Sequence, residues 1–346
     1  MENEVIGINQ ASVTAWMEEH VGAAAPLHFE LIAGGRSNLT YRVTDDNGNS
    51  FALRRPPTSH VLPTAHDMVR EHTIIAALYP QHIPVARPLG LCTDESVNER
   101  PFYVMEFVDG EILRTRADAE KAFSETVRRT IGDNLAATLA QLHEVDVERA
   151  GLGELARHDG YIERQLRRWR TQYDQMQVEG VHHGGIVEAV GDQLAALIPT
   201  QQRVAVVHGD YRLDNTVLDE HGKVKAILDW EICTLGDPMA DLGLLLVYWA
   251  ERSDATEALL GASPTTASGF STRAQVLNAY ASHTTLDVSE VAYYQAFGYW
   301  KLACIMQGVF ARYSAGATAG DQGSVAEYPK HIALLAHLAK QTLEQS

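Results

Sequence analysis

His208-Gly-Asp-Tyr-Arg-Leu-Asp-Asn215 and, a little further on, Ile227-Leu-Asp-Trp-Glu231 decide how this chain is read. The first stretch follows the short apolar run Val204-Ala-Val-Val207, and the second closes another, Val224-Lys-Ala-Ile-Leu228. Asn215 lies five positions after Asp210, and Asp229 fourteen after Asn215. A carboxylate, an amide and a second carboxylate are thereby set on loops at the ends of short strands. All three carry oxygen, the donor that hard divalent cations prefer. Each could instead cap its own loop, but their joint spacing points to one site.

The rest of the chain narrows the possibilities. With 346 residues there is enough apolar material for one large or two modest domains. Hydrophobic residues make up 45% and charged residues 21%, which is ordinary globular composition. The longest strongly apolar piece, residues 242–250, is too short to span a membrane. The acidic N-terminus does not look like a secretory signal, so a cytoplasmic location with no membrane partner is expected. The formal net charge of −17 disfavours nucleic acid as a partner. Cys92, Cys233 and Cys304 form no CxxC pair and are expected as buried thiols. His182-His183, in a Gly-rich loop, is expected to be solvated. Arg164-Gln-Leu-Arg-Arg-Trp-Arg170 has helical spacing and reads as a solvated helix face.

Along the chain, two compositional halves meet near Phe107. In the first, Ser12 caps a helix running to His20, and strands cover 27–32, 40–44, 51–54 and 102–107. Asp45-Asp-Asn-Gly48 predicts a hairpin built on a two-residue turn. A helix is expected over 64–79, before Pro80. In the second half the pattern predicts a long helix over 119–143, a strand over 203–207, and a hairpin around Glu220-His-Gly222. Helices then run from about Met239 to the end, broken near Ser263-Pro264 and over 316–323.

His208-Gly-Asp210, with Asn215 and Asp229, resembles the small-molecule kinase branch of the protein-kinase-like fold, which includes aminoglycoside phosphotransferases and choline kinase. The run Asp229-Trp-Glu-Ile-Cys-Thr-Leu-Gly-Asp-Pro-Met-Ala-Asp-Leu242 is similar to the phosphotransferase domains associated with some acyl-CoA dehydrogenases. The resemblance implies an α+β two-lobed fold, with a small antiparallel β-sheet N-lobe over 1–107 and a mainly helical C-lobe over 108–346. It also implies an ATP- and Mg2+-dependent transfer of a phosphoryl group to a small-molecule hydroxyl. Asp210 becomes the catalytic base, because an acceptor hydroxyl must lose its proton as the new bond forms. Asn215 and Asp229 become the magnesium ligands, and Glu231 a further ligand or an acceptor contact. His208 holds the loop in shape, and Asp237 and Asp241 bond loop backbone and cap the next helix.

On the nucleotide side, Gly35, Ser37 and Asn38 lie in a loop between two strands, where backbone N–H groups would cover the phosphates. Phe51-Ala-Leu-Arg54 matches the Val-Ala-Ile-Lys strand of kinases, with arginine in place of lysine and Arg55 as the alternative register. Arginine stays charged and bonds phosphate oxygens as a fork. Glu71 on the following helix is its expected ion-pair partner. Glu106 and Val108 would offer main chain to adenine. The aromatic run from Tyr293 to Trp300 reads as core; Lys301 and Arg312 are read either as contacts to an anionic acceptor or as surface charges. Two other classes stay open at this level: a nucleotide-binding pseudokinase, prompted by Arg54, and a non-catalytic partner of an acyl-CoA enzyme.

Overall fold

In the computed structural model, residues 5–33, 38–58, 67–155, 159–252, 254–255, 263–316 and 325–345 are described. A five-stranded antiparallel sheet carries the first part of the chain. Its strands are β1 (His28–Ala33), β2 (Leu39–Thr44), β3 (Ser50–Arg55), β4 (Pro88–Cys92) and β5 (Phe102–Glu106), in the order β1-β2-β3-β5-β4. Alternation along the strands sorts the side chains. Tyr41, Val43 and Leu53 point to one face and pack with Val13, Trp16 and Met17 of helix α1 (Gln10–His20). The register pairs Thr40 with Arg54 and Arg54 with Tyr103, so these three share the opposite face. That face meets helix α2 (Met68–Leu78), which adds its buried Ile74, Ile75 and Leu78 to the larger core of the second lobe.

Local chemistry adjusts several sequence expectations. The cap of α1 is Asn9, whose side chain accepts the Ser12 N–H; Ser12 itself lies inside the helix. The β2–β3 connection is a five-residue loop, since Thr44 pairs with Ser50. Asp45 closes it by accepting the Asn49 N–H, while Gly48 takes the left-handed conformation (φ +80°). The helix expected over 64–79 begins at Met68, capped by Asp67; positions 64–66 lie outside the described residues. Strand β4 and the short helix α3 (Glu95–Asn98) give no periodic signal because they are so short.

The single helix expected over 119–143 is two: α4 (Arg116–Ala122) and α5 (Glu125–His143). Phe123 turns extended to bury its ring, and Ser124 caps the second helix by accepting the Val127 N–H. The second lobe continues with α6 (Tyr161–Gln175) and α7 (Ile186–Ala196). Two short two-stranded sheets follow, pairing β6 (Ala205–Val207) with β9 (Thr234–Gly236) and β7 (Thr216–Leu218) with β8 (Val224–Ile227). The expected hairpin around Glu220-His-Gly222 is the β7–β8 connection. Helices α8 (Met239–Tyr248), α9 (Arg273–Ser282), α10 (Val291–Ser314) and α11 (Tyr328–Glu344) complete the lobe. The aromatic run of α10 is core: Tyr293, Tyr294, Phe297, Tyr299 and Trp300 are all buried. Cys92, Cys233 and Cys304 are buried free thiols. His182 is exposed as expected, but His183 is buried and bonds Gln307 at 2.9 Å, because the loop folds onto α10. No helix among the described residues is long and apolar enough to cross a membrane.

Helix α8 sits at the centre of the second lobe and crosses α10 at very close range. A Cβ added to Gly243 would collide with the Tyr294 carbonyl, and Gly298 faces back onto Val247. Gly243→Ala is therefore expected to cost about 2 kcal/mol, the usual scale for forcing extra volume into a packed contact. A urea titration measures it, and an unchanged midpoint would refute the close crossing.

Candidate active site

The loop after β6 carries His208, Gly209 and Asp210, and tertiary contacts hold it on three sides. From below, the carboxylate of Asp241 in α8 accepts the N–H groups of His208 (2.6 Å) and Gly209 (2.8 Å). Burial opposes ionisation of Asp241, but the His143 bond and the Gly209 N–H outweigh it and keep its carboxyl below the usual range. His143 touches Asp241 at 3.5 Å through Nε2 and Tyr280 at 2.7 Å through Nδ1. Asp241 thus bonds loop backbone, as expected, and Asp237 caps α8 by accepting the Met239 N–H.

From the side, the ring of His208 ties this loop to the next. Its Nε2 donates to the Leu228 carbonyl at 2.8 Å, and its Nδ1 accepts the Asp210 N–H at 3.3 Å. That pattern requires the neutral Nε2–H tautomer. The Leu228 N–H goes to the carbonyl of Asn215 at 2.8 Å. Leu228, the residue before Asp229, is therefore held at both its N–H and its carbonyl, and Asp229 itself adopts φ +62°. A left-handed aspartate is uncommon, tolerated better than most side chains, and a frequent mark of functional loops. Asn215 turns its amide onto Asp210, reaching the carboxylate at 2.8 Å and the carbonyl at 2.9 Å.

From above, Arg54 of β3 joins the lobes. Its Nε lies 3.0 Å from Glu71 of α2, and its Nη2 lies 2.6 Å from Asp229 and 3.8 Å from Glu231. The Glu71 ion pair expected from sequence is present, and the register is Arg54; Arg55 is buried elsewhere, bonding the Pro56 carbonyl. Glu71 also accepts from Asn38 (2.8 Å) and Tyr103 (3.0 Å). Burial raises the Glu71 carboxyl, and Arg54 and Tyr103 oppose that shift. Burial, with the neighbouring charge of Asp229, also pushes Glu231 up to about 7. Arg70 donates to the Cys233 carbonyl at 2.6 Å, so α2 is pinned to the segment after Asp229.

Asp210, Asn215, Asp229, Arg54, Glu71 and Asn38 are thus brought together. Gly35 and Ser37 lie outside the described residues. Glu106 ends β5, with its N–H on the Arg87 carbonyl and its side chain exposed; Val108 follows two positions on. Glu111 and Leu218 exchange both backbone bonds, fastening the segment after Val108 to β7. Two further residues were not signalled by any motif. Tyr248 stacks under the Arg212 guanidinium (4.7 Å), and its phenol interacts with Asp210; Arg212 pairs with Asp214 (2.8 Å) and Asp210 (3.4 Å). Lys301 is neither a surface charge nor open to the cleft: it is buried, with its Nζ 3.1 Å from the Gly209 carbonyl. Arg312 is exposed.

Residues 28–263 match the model of the phosphotransferase enzyme family. The chain belongs to that family. The reaction class that the family's description names is phosphoryl transfer. A solved structure from Ralstonia eutropha, assigned provisionally as an aminoglycoside phosphotransferase, is 30% identical with a TM-score of 0.82, covering 97% of this chain and 98% of that one. Acyl-CoA dehydrogenase family member 10 of Mus musculus is 30% identical over 95% of this chain. The chain spans only 31% of that relative's length. An amicoumacin kinase solved with AMP-PNP, Ca2+ and its ligand has the same fold at 17% identity, with a TM-score of 0.59 over 100% of this chain and 97% of that one.

Replacing Arg54 by methionine leaves Glu71 buried without a cation. The expected loss in this phosphotransferase is about 3 kcal/mol of stability, read from urea unfolding. Arg54→Lys is expected to lose less, since an ammonium still neutralises Glu71 but lacks the planar fork that spans two carboxylates.

Proposed function

We propose that the protein moves the γ-phosphoryl group of ATP, with Mg2+, onto a hydroxyl of a small metabolite. The observation that carries this reading is the convergence of Asp210 and Asn215 on one loop with Asp229 on the next, joined through His208 and met by Arg54. Phosphoryl transfer asks the protein mainly to position groups and balance charge.

The donor set suits the cation. Glu71, Asp210, Asp214, Asp229 and Glu231 crowd around Arg54 and Arg212, so the acids outnumber the neighbouring arginines. The described residues form no cage of three or more His, Cys, Asp or Glu, and a magnesium–nucleotide site does not require one. Asn215 and Asp229 would hold Mg2+, with phosphate oxygens and water completing its coordination. Bound Mg2+ and ATP supply the electrophilic phosphorus and neutralise charge on the phosphates.

Asp210 accepts the proton of the acceptor hydroxyl as its oxygen bonds to phosphorus and ADP departs. Arg54 neutralises phosphate charge while Glu71 keeps it in place. Gly35, Ser37 and Asn38 cover the phosphates through their loop, and main chain at Glu106 and Val108 meets the base. The lobe boundary is placed after residue 107, between the end of β5 and the Glu111–Leu218 pairing that fastens the chain to β7. The similarity to an acyl-CoA dehydrogenase family member supports a hydroxy acid, or its acyl thioester, as acceptor.

The test is a screen with labelled ATP, Mg2+ and a panel of hydroxy acids, their CoA thioesters and aminoglycosides. Label is expected on a hydroxy acid or thioester. Asp210→Asn should lower kcat by roughly two to four powers of ten while nucleotide affinity is kept. Full activity in that variant would remove Asp210 as the base, and nucleotide binding without turnover of any acceptor would favour a pseudokinase.

A further inference from the structure

Lys301 is the charged group that the proposed reaction leaves unused, and its position is unusual. It lies on α10 between Trp300 and Leu302, in a stretch where Ala303 and Cys304 are also buried. Its own exposure is 8%. Among the described residues it forms no salt bridge; its contacts are the Gly209 carbonyl at 3.1 Å and the face of the Trp169 ring at 5.7 Å. The charges that reach it are Asp241 on α8, Asp210 on the loop and Arg168 on α6. Burial lowers its pKa, with those two carboxylates opposing the shift.

A lone buried ammonium is a poor way to stabilise a core. Its desolvation costs several kcal/mol, and an apolar side chain of similar volume is often as good or better. Methionine would fill the same space among these neighbours at lower cost. The question is then what the charge holds, and the answer is one peptide group.

Gly209 adopts φ +87°, a conformation that leaves the loop dependent on outside contacts for its shape. The peptide entering Gly209 gives its N–H to Asp241. The peptide leaving Gly209, the one that carries Asp210, is gripped at both ends: its carbonyl by Lys301 and its N–H by the His208 ring. Rotation of that peptide would swing the Asp210 carboxylate. An error of about 1 Å in a reacting group can cost on the order of a hundredfold in rate.

We propose that Lys301 is a positioning residue for phosphoryl transfer, fixing the Gly209–Asp210 peptide so that the Asp210 carboxylate stays aimed at the acceptor hydroxyl. This rests on the assignment of Asp210 as the base. Lys301 acts through the loop and touches neither nucleotide nor metal ligand.

The experiment compares the full chain with Lys301→Met and Lys301→Gln. Four quantities are read: the thermal midpoint, affinity for Mg2+·AMP-PNP, kcat with the acceptor found by the screen, and amide hydrogen exchange at Gly209 and Asp210. In Lys301→Met the midpoint is expected at or above that of the parent, and nucleotide affinity within about twofold. Its kcat is expected to fall roughly tenfold to a hundredfold, and exchange at the two amides to quicken. Lys301→Gln keeps an N–H donor for the carbonyl, and its kcat should fall between the other two. Unchanged kcat in Lys301→Met overturns the proposal, as does a loss of midpoint or nucleotide affinity that accounts for the fall in rate. If the parent turns over no acceptor, it is the functional reading that has failed; exchange then decides alone, and equal exchange in parent and Lys301→Met removes the clamp.

Discussion

The carboxylate of Asp241 is the point on which the site depends. It is buried, ionised, and shared between two consecutive backbone N–H groups of the loop that carries Asp210. A charged acceptor inside the protein strengthens each of those bonds, because little water competes for it. The same carboxylate would be intolerable there without them. The helix that carries it is wedged against α10 through Gly243 and Gly298, so the close helix crossing and the loop geometry are parts of one arrangement.

From this anchor, position passes outward by hydrogen bonds between loops. His208, fixed below by Asp241, reaches the Leu228 carbonyl, and Asn215 reaches the Leu228 N–H. Asp229 is thereby presented in a backbone conformation that a free chain would rarely take. Arg54 then couples Asp229 to Glu71, and through Glu71 to Asn38 and Tyr103. Residues from β3, β5, α2, the position just before β2 and two separate loops are drawn into one charged network. Such a network is a costly way to gain stability and an effective way to fix geometry. The substitution of arginine for the usual lysine is accommodated because its two nitrogens serve two carboxylates at once.

Much of this was legible in the order of residues. The spacing of Asp210, Asn215 and Asp229 marked them as one cluster, because side chains on loops that follow short buried strands emerge at one edge. The pairing of Arg54 with Glu71 was legible too, through the resemblance of Phe51-Ala-Leu-Arg54 to the kinase strand. Other features were not. The break between α4 and α5 is hidden by continuous helical periodicity and depends on where Phe123 finds its pocket. His183 carries no local sign that Gln307, more than a hundred residues away, would bury it. Tyr248 and Lys301 reach the Asp210 loop from helices whose composition reads simply as core.

The amino-acid sequence by itself carried the short motifs whose resemblance to small-molecule kinases implied the fold and the family, and the spacing that grouped three oxygen-bearing side chains, because both are short-range features of the chain. The tertiary structure alone decided how those side chains are aimed. Aim depends on contacts between segments far apart in the chain: Asp241 beneath the loop, His208 between two loops, Arg54 across the lobes, and Lys301 on the Gly209 carbonyl. Local propensity carries no information about such distant partners, and only the packed molecule sets their distances.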